Sequence, residues 1–172
     1  MITSDEAIEL LRSNDLIGLA MEADAVRKRL HPECIVSYPA REVLLPEPSE
    51  TISLSPGESM EEYVTRLALL RQQQEATGAV TAVIPRAHGT AAEYLKIVAV
   101  SRIYLENISH VQTSWVVGLK ICQIALRFGA DDITGSQNEK HRPTEEQLRC
   151  LIRDAGFVPK QRDALFQSYF LD

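Results

Sequence analysis

The amino-acid sequence predicts an α/β fold from three observations. Strand-like and helix-like stretches alternate from Ala79 onward. Short connections join them, which is the pattern of parallel βα units. One helix in that series is apolar almost all round, the mark of a helix that is largely buried.

Each element has a local reason. Thr3 with Glu6 makes a capping box that opens a short helix, and a second helix starts near Asn14. Leu16, Leu19, Ala20, Ala23, Val26 and Leu30 recur at helical spacing along one face of it. The basic run Arg27-Lys28-Arg29 complements the negative end of that helix dipole, and His31 reads as a helix-end cation rather than a ligand. Cys34 to Tyr38 has the β-branched and aromatic content of a short strand. From Pro39 to Glu58 the periodicity fails, and four of the eight prolines fall there, Pro39, Pro46, Pro48 and Pro56. That stretch reads as a linker or irregular loop, separating N-terminal helices and a first strand (1–38) from βα units (59–172) within one structural domain.

Ser59 with Glu62 opens the next helix, with Met60, Tyr63, Val64, Leu67 and Leu70 inward and Gly78 just past its end. Ala79 to Pro85 reads as a buried strand, and Thr90 caps the apolar helix that runs to about Leu105. Val111 to Trp115 is a strand, Leu119 to Phe128 a helix closed by Gly129, and Asp131 to Thr134 a very short strand. Thr144 with Gln147 opens the last clear helix, with Leu148, Leu151, Ile152 and Ala155 inward before Gly156.

Composition narrows the function. A chain of 172 residues, 45% apolar and 24% charged, suits one soluble core. No apolar run approaches the ~20 residues that span a bilayer, so no membrane partner is expected. The start, Met1 to Glu6, resembles no secretion signal, which gives a cytoplasmic expectation. A net charge of −6 argues against nucleic acid, whose phosphates demand a clustered basic surface. Cys34, Cys122 and Cys150 are separated by 88 and 28 positions, too far apart for a close metal knot, and read as reduced, mostly buried thiols. The four histidines stand at least 22 positions apart, so no metal site is expected. Nor is there a GxSxG elbow, a GxGxxG or a P-loop.

In βα barrels the loops after the strands carry the chemistry, which points to Arg86–Gly89, Trp115–Gly118 and Asp132–His141. Gln112, Ser114 and Trp115 lie where a strand would end at a barrel mouth and are candidates to face substrate. A strand with one buried indole accounts for them equally well. His88 follows a strand and is a candidate acid or base, although no second residue is placed by sequence to orient it. No catalytic residue is assigned.

Two blocks carry a family resemblance. The first is Leu11 to Leu16 followed by Ala23 to Glu33. The second comprises Glu93-Tyr94-Leu95, Ala99 to Ile108, Gln112, Ser114-Trp115-Val116, Ala125 to Asp132, Thr144-Glu145-Glu146 and Ile152 to Pro159, with Gln161-Arg162 close behind. Together they resemble dehypoxanthine futalosine cyclase and related radical S-adenosylmethionine (SAM) enzymes of menaquinone biosynthesis. The resemblance implies a βα barrel that binds a [4Fe-4S] cluster through Cys-x3-Cys-x2-Cys, with SAM on the remaining iron. By the same analogy Asp131 and Asp132 are candidates to face a ligand, although a carboxylate pair after a glycine is also an ordinary loop.

This chain departs from the family pattern. After Ser37-Tyr38, where the cysteine loop belongs, it runs through Arg41-Glu42-Val43 and the proline-rich stretch straight to Ser59. The loop after Ile84-Pro85 is only Arg86 to Gly89, a pair of residues is missing between Val117 and Gly118, and the loop after Gly135-Ser136 is cut to Gln137–His141. The expectation is therefore a partial (β/α) barrel of radical SAM type with N-terminal helices. It is expected to bind no cofactor and to be inactive alone, and to pair with a second copy or a complementing barrel fragment across its open edges. The alternatives are a noncatalytic ligand-binding or protein-interaction module on that scaffold, or a decayed fragment.

Overall fold

Among the described residues, seven strands make one sheet in the order β2-β3-β4-β5-β1-β6-β7. In the computed structural model, residues 1–40, 49–135, 142–164, 166 and 169–170 are described. The strands are β1 (Ile35–Pro39), β2 (Ser49–Leu54), β3 (Ala82–Ala87), β4 (His110–Ser114), β5 (Asp132–Thr134), β6 (Val158–Arg162) and β7 (Tyr169–Phe170). All neighbours pair in parallel except β6 and β7. The helices are α1 (Ser4–Arg12), α2 (Leu16–Leu30), α3 (Met60–Thr77), α4 (Ala91–Tyr104), α5 (Leu119–Ala125) and α6 (Glu145–Asp154).

The order is that of a barrel cut open. β2, β3, β4 and β5 follow one another as successive βα units, and β5 then pairs with β1, with Ser37 opposite Asp132. A series of right-handed βα crossovers curls in one direction, so its last strand returns to its first. The seam of the barrel is therefore present. Its gap lies between β1 and β2, and β6 fills the free edge of β1. The fold is a partial βα barrel.

Local signals set the helix ends. Thr3, Ser59, Thr90 and Thr144 each close a capping box with the residue three positions on, satisfying backbone N–H groups that the first helical turn leaves without partners. Gly78 ends α3 in the left-handed conformation, at φ 61°. Ten of the fourteen residues of α4 are buried, as its all-round apolar pattern requires. α4 packs chiefly on α2 and β3, and Leu19, Ala23 and Val26 are the buried part of the α2 face.

Several expectations need correction. The proline-rich stretch contains β2, an outer strand paired to β3, where Ile52 is its buried residue. β6 has no alternation strong enough to betray it and contains Pro159. That proline is tolerated because β7 pairs only with Gln161 and Arg162, which leaves the outer side of Pro159 without a ladder. Pro85 sits in β3 beyond Ala82 and Val83, the only β3 residues that pair with β4. Met60 is not inward: it stands at the first position of α3, before the packed face begins, and is 36% exposed. Of the three free cysteines only Cys122 is buried; Cys34 is partly buried and Cys150 is exposed. Arg41-Glu42-Val43, Pro46, Pro48 and Ser136–His141 lie outside the described residues.

Candidate functional site

Successive residues of a strand face opposite sides of the sheet. On β4, Val111 and Thr113 face the helices, where the Thr113 hydroxyl meets Tyr94 of α4 at 2.9 Å. Gln112 therefore faces the other side, the concave face of the arc, together with Ser37 of β1, Asp132 of β5 and Arg162 of β6. Asp132 is their centre. Its carboxylate accepts two bonds from the Arg162 fork, 2.6 Å from Nε and 2.7 Å from Nη2, another at 2.6 Å from Gln112 Nε2, and one from the Ser37 hydroxyl. Asp132, Gln112 and Arg162 are each 0% exposed. A buried charge needs this many partners, because each one replaces hydration lost on folding. Phe166 lies over the Arg162 guanidinium at 4.3 Å and covers it.

A second cluster lies at the opposite end of the strands from the barrel mouth. Asp131 immediately precedes β5 and is 3% exposed. Its Oδ1 accepts from Arg102 Nη2 and, at 2.8 Å, from the Val111 backbone N–H. His110 Nδ1 donates to its Oδ2 at 2.5 Å, and His31 Nε2 lies 3.3 Å from the same oxygen. Burial alone would raise the Asp131 carboxyl pKa, but the Arg102 charge and the two imidazoles outweigh it and hold the group well below the usual carboxylate range. Burial likewise opposes charging of His110, and its hydrogen bond to Asp131 prevails, leaving its pKa raised.

The structure thus separates the residues that the sequence singles out. Asp132 and Gln112 meet in the concave cluster. Asp131 does not join them: it sits at the N-terminal rim of the strands, the face of a βα barrel associated with stability rather than chemistry. Ser114 caps the short turn Trp115–Val117, accepting from the Val116 N–H. Trp115 is 6% exposed and presses on Gly135 so closely that a Cβ there would lie 1.9 Å from its ring. His88 is exposed at the mouth, lining a cavity of about 330 Å³ with the loop Ser55–Glu58. Sequence reasoning missed Ser37 and Arg162 as partners of Asp132, and Arg102, His31 and His110 as partners of Asp131. For Ser37 and Arg162 the signal is the in-register facing of β1, β5 and β6, which needs the strand order to be known; for His31, at the end of α2, the sequence carries none.

A family model, the CofH/MqnC C-terminal region, matches residues 67–171, the span from α3 to the C-terminal strands. The chain belongs to this family. Its curated relatives include a cyclic dehypoxanthine futalosine synthase of Streptomyces coelicolor, 32% identical over 70% of this chain and 36% of the relative. An aminodeoxyfutalosine synthase of the same organism is 41% identical over 45% of this chain and 24% of the relative. A 5-amino-6-(D-ribitylamino)uracil--L-tyrosine 4-hydroxyphenyl transferase of Methanocaldococcus jannaschii is 29% identical over 94% of this chain and 56% of the relative. The chain therefore spans from about a quarter to just over half of the length of these relatives. The family match covers β3 to β5 and β6, so it includes both Asp132 and Arg162.

Proposed function

We infer that this chain supplies the closing half of a futalosine-type radical SAM barrel, and that by itself it performs no radical chemistry. The observation that carries the reading is the parallel pairing of β5 with β1, the seam of such a barrel, in a chain with no Cys-x3-Cys-x2-Cys after β1. A [4Fe-4S] cluster needs thiolates gathered at one place. Here Cys34 precedes β1, Cys122 lies within α5 and Cys150 is on the outer surface of α6. Burial pushes the Cys122 thiol up to about 12, which keeps it protonated. These thiols do not fit the cluster.

Iron and acid-labile sulfide measured after anaerobic reconstitution and desalting test this reading. No more than traces of either are expected; about four of each per chain would overturn it.

A noncatalytic assembly role is the second reading, and one observation favours it. Among the described residues β2 pairs on one side only, with β3, so its other edge offers a ladder of backbone donors and acceptors. A second copy of this chain, or a chain carrying the missing strands, would complete the sheet there. Light scattering with size exclusion at micromolar concentration is expected to give a species of at least two chains, and a monodisperse monomer would sink self-pairing.

A further inference from the structure

We propose that His31, His110 and Asp131 form a binding site for a divalent transition-metal ion of the zinc class at the N-terminal rim of the sheet. The proposal does not depend on the radical-enzyme reading, since this cluster lies at the end of the strands away from the barrel mouth. One ligand atom from each of the three residues lies within 4.8 Å of the others. They come from three separate places in the chain: the end of α2, the start of β4 and the residue before β5.

The donor set suits the ion. Two imidazoles and one carboxylate are a common arrangement for zinc and its neighbours, with the remaining position left to solvent. Two ligands bound to a tetrahedral zinc stand about 3.3 Å apart. His31 Nε2 and Asp131 Oδ2 are already 3.3 Å apart. His110 Nδ1 is closer, at 2.5 Å, because a hydrogen bond now closes the site. Entry of the ion displaces that proton, the neutral ring then carries its proton on Nε2, and the ring moves back by roughly 0.8 Å.

The surroundings are those of a supported ligand. Oδ1 of Asp131 is committed to Arg102 and to the Val111 N–H, which fixes the carboxylate and turns Oδ2 outward. His31 and His110 stack at 5.2 Å, and His110 stacks in turn on Phe166 at 4.4 Å, so both rings are held in place. A cavity of about 280 Å³ lined by His31, Glu33, Ile35, Ser37, His110 and Asp131 gives the ion and its water a way in. The His31 Nε2–H now donates to the Ser109 carbonyl at 2.7 Å. Metal binding requires that proton to leave Nε2; the neutral ring then carries it on Nδ1, which frees Nε2 as the ligand atom.

Zinc titration of the full chain by calorimetry is the test, with His31→Ala, His110→Ala and His88→Ala compared. The expected result is one saturable site per chain, weakened about tenfold or more by either of the first two changes and unaltered by the third. Absence of saturable binding, or equal affinity in all four proteins, would overturn the site, as would an equal loss in His88→Ala. If His110→Ala fails to fold, the cobalt(II) absorption spectrum decides between wild type and His31→Ala, a change at the partly exposed member. Ligand-field bands that vanish in His31→Ala support the site, and bands that persist unchanged exclude it.

Discussion

Asp132→Ala is expected to destabilise the protein by about 3–5 kcal/mol, read from the shift of the urea unfolding midpoint. The cause is not the loss of favourable contacts alone. With the carboxylate gone, the Arg162 guanidinium, itself 0% exposed, keeps its charge in the interior without its bidentate partner. Ser37 and Gln112 lose the acceptor that both of their side chains address. A folded domain has only about 5–15 kcal/mol in total, so the variant should lie near the edge of folding. Removing both charges at once, as Asp132→Leu with Arg162→Met, should cost less than Asp132→Ala, because apolar groups in place of both members leave no buried guanidinium that has lost its bidentate carboxylate. A double variant worse than the single one would refute this account of the cluster.

Arg102→Ala is expected to be comparably severe, again about 3–5 kcal/mol by denaturant unfolding. Arg102 is fully buried in α4 and bridges three acceptors: Asp131 Oδ1, the Gly129 carbonyl at 2.8 Å and the Ser109 carbonyl at 3.2 Å. It therefore ties the long helix to the approaches of β4 and β5. Gly129, at φ 93°, is packed beneath it; a Cβ there would lie 2.8 Å from Arg102 Cγ. Arg102→Lys should recover only part of the loss, since an ammonium supplies charge without the planar fork that reaches three oxygens. A loss below about 1 kcal/mol for Arg102→Ala would mean that water replaces the guanidinium, contrary to the burial of this site.

The two clusters show how far the sequence could be read. Asp131 and Asp132 are adjacent, and on sequence grounds they form one candidate pair. In the structure Asp131 sits just outside β5 and turns to Arg102, while Asp132 faces the concave side and turns to Arg162. A strand sends neighbouring side chains to opposite faces, so adjacency in sequence became separation in space. The histidines show the reverse case. His31 and His110 are far apart along the chain, which is why no metal spacing is visible, yet their rings stack.

Helix positions were legible because they rest on local chemistry. A capping box joins residues three apart, so the four at Thr3, Ser59, Thr90 and Thr144 can be read within a window of four residues. The buried α4 was equally legible, from a pattern within fourteen residues. β2 and β6 were not, because each is an outlying strand whose identity comes from the neighbour it pairs with.

The sequence by itself determined the α/β class, the helix ends, the family and the lack of a three-cysteine loop, all properties of residue type and short spacing. Tertiary structure alone decided that β5 closes on β1 and that Ser37 reaches a carboxylate 95 positions away. It also decided that Asp131 gathers His31 and His110 at the far rim of the sheet. These follow from strand order and register, which arise when the whole core packs and which no short window of sequence contains.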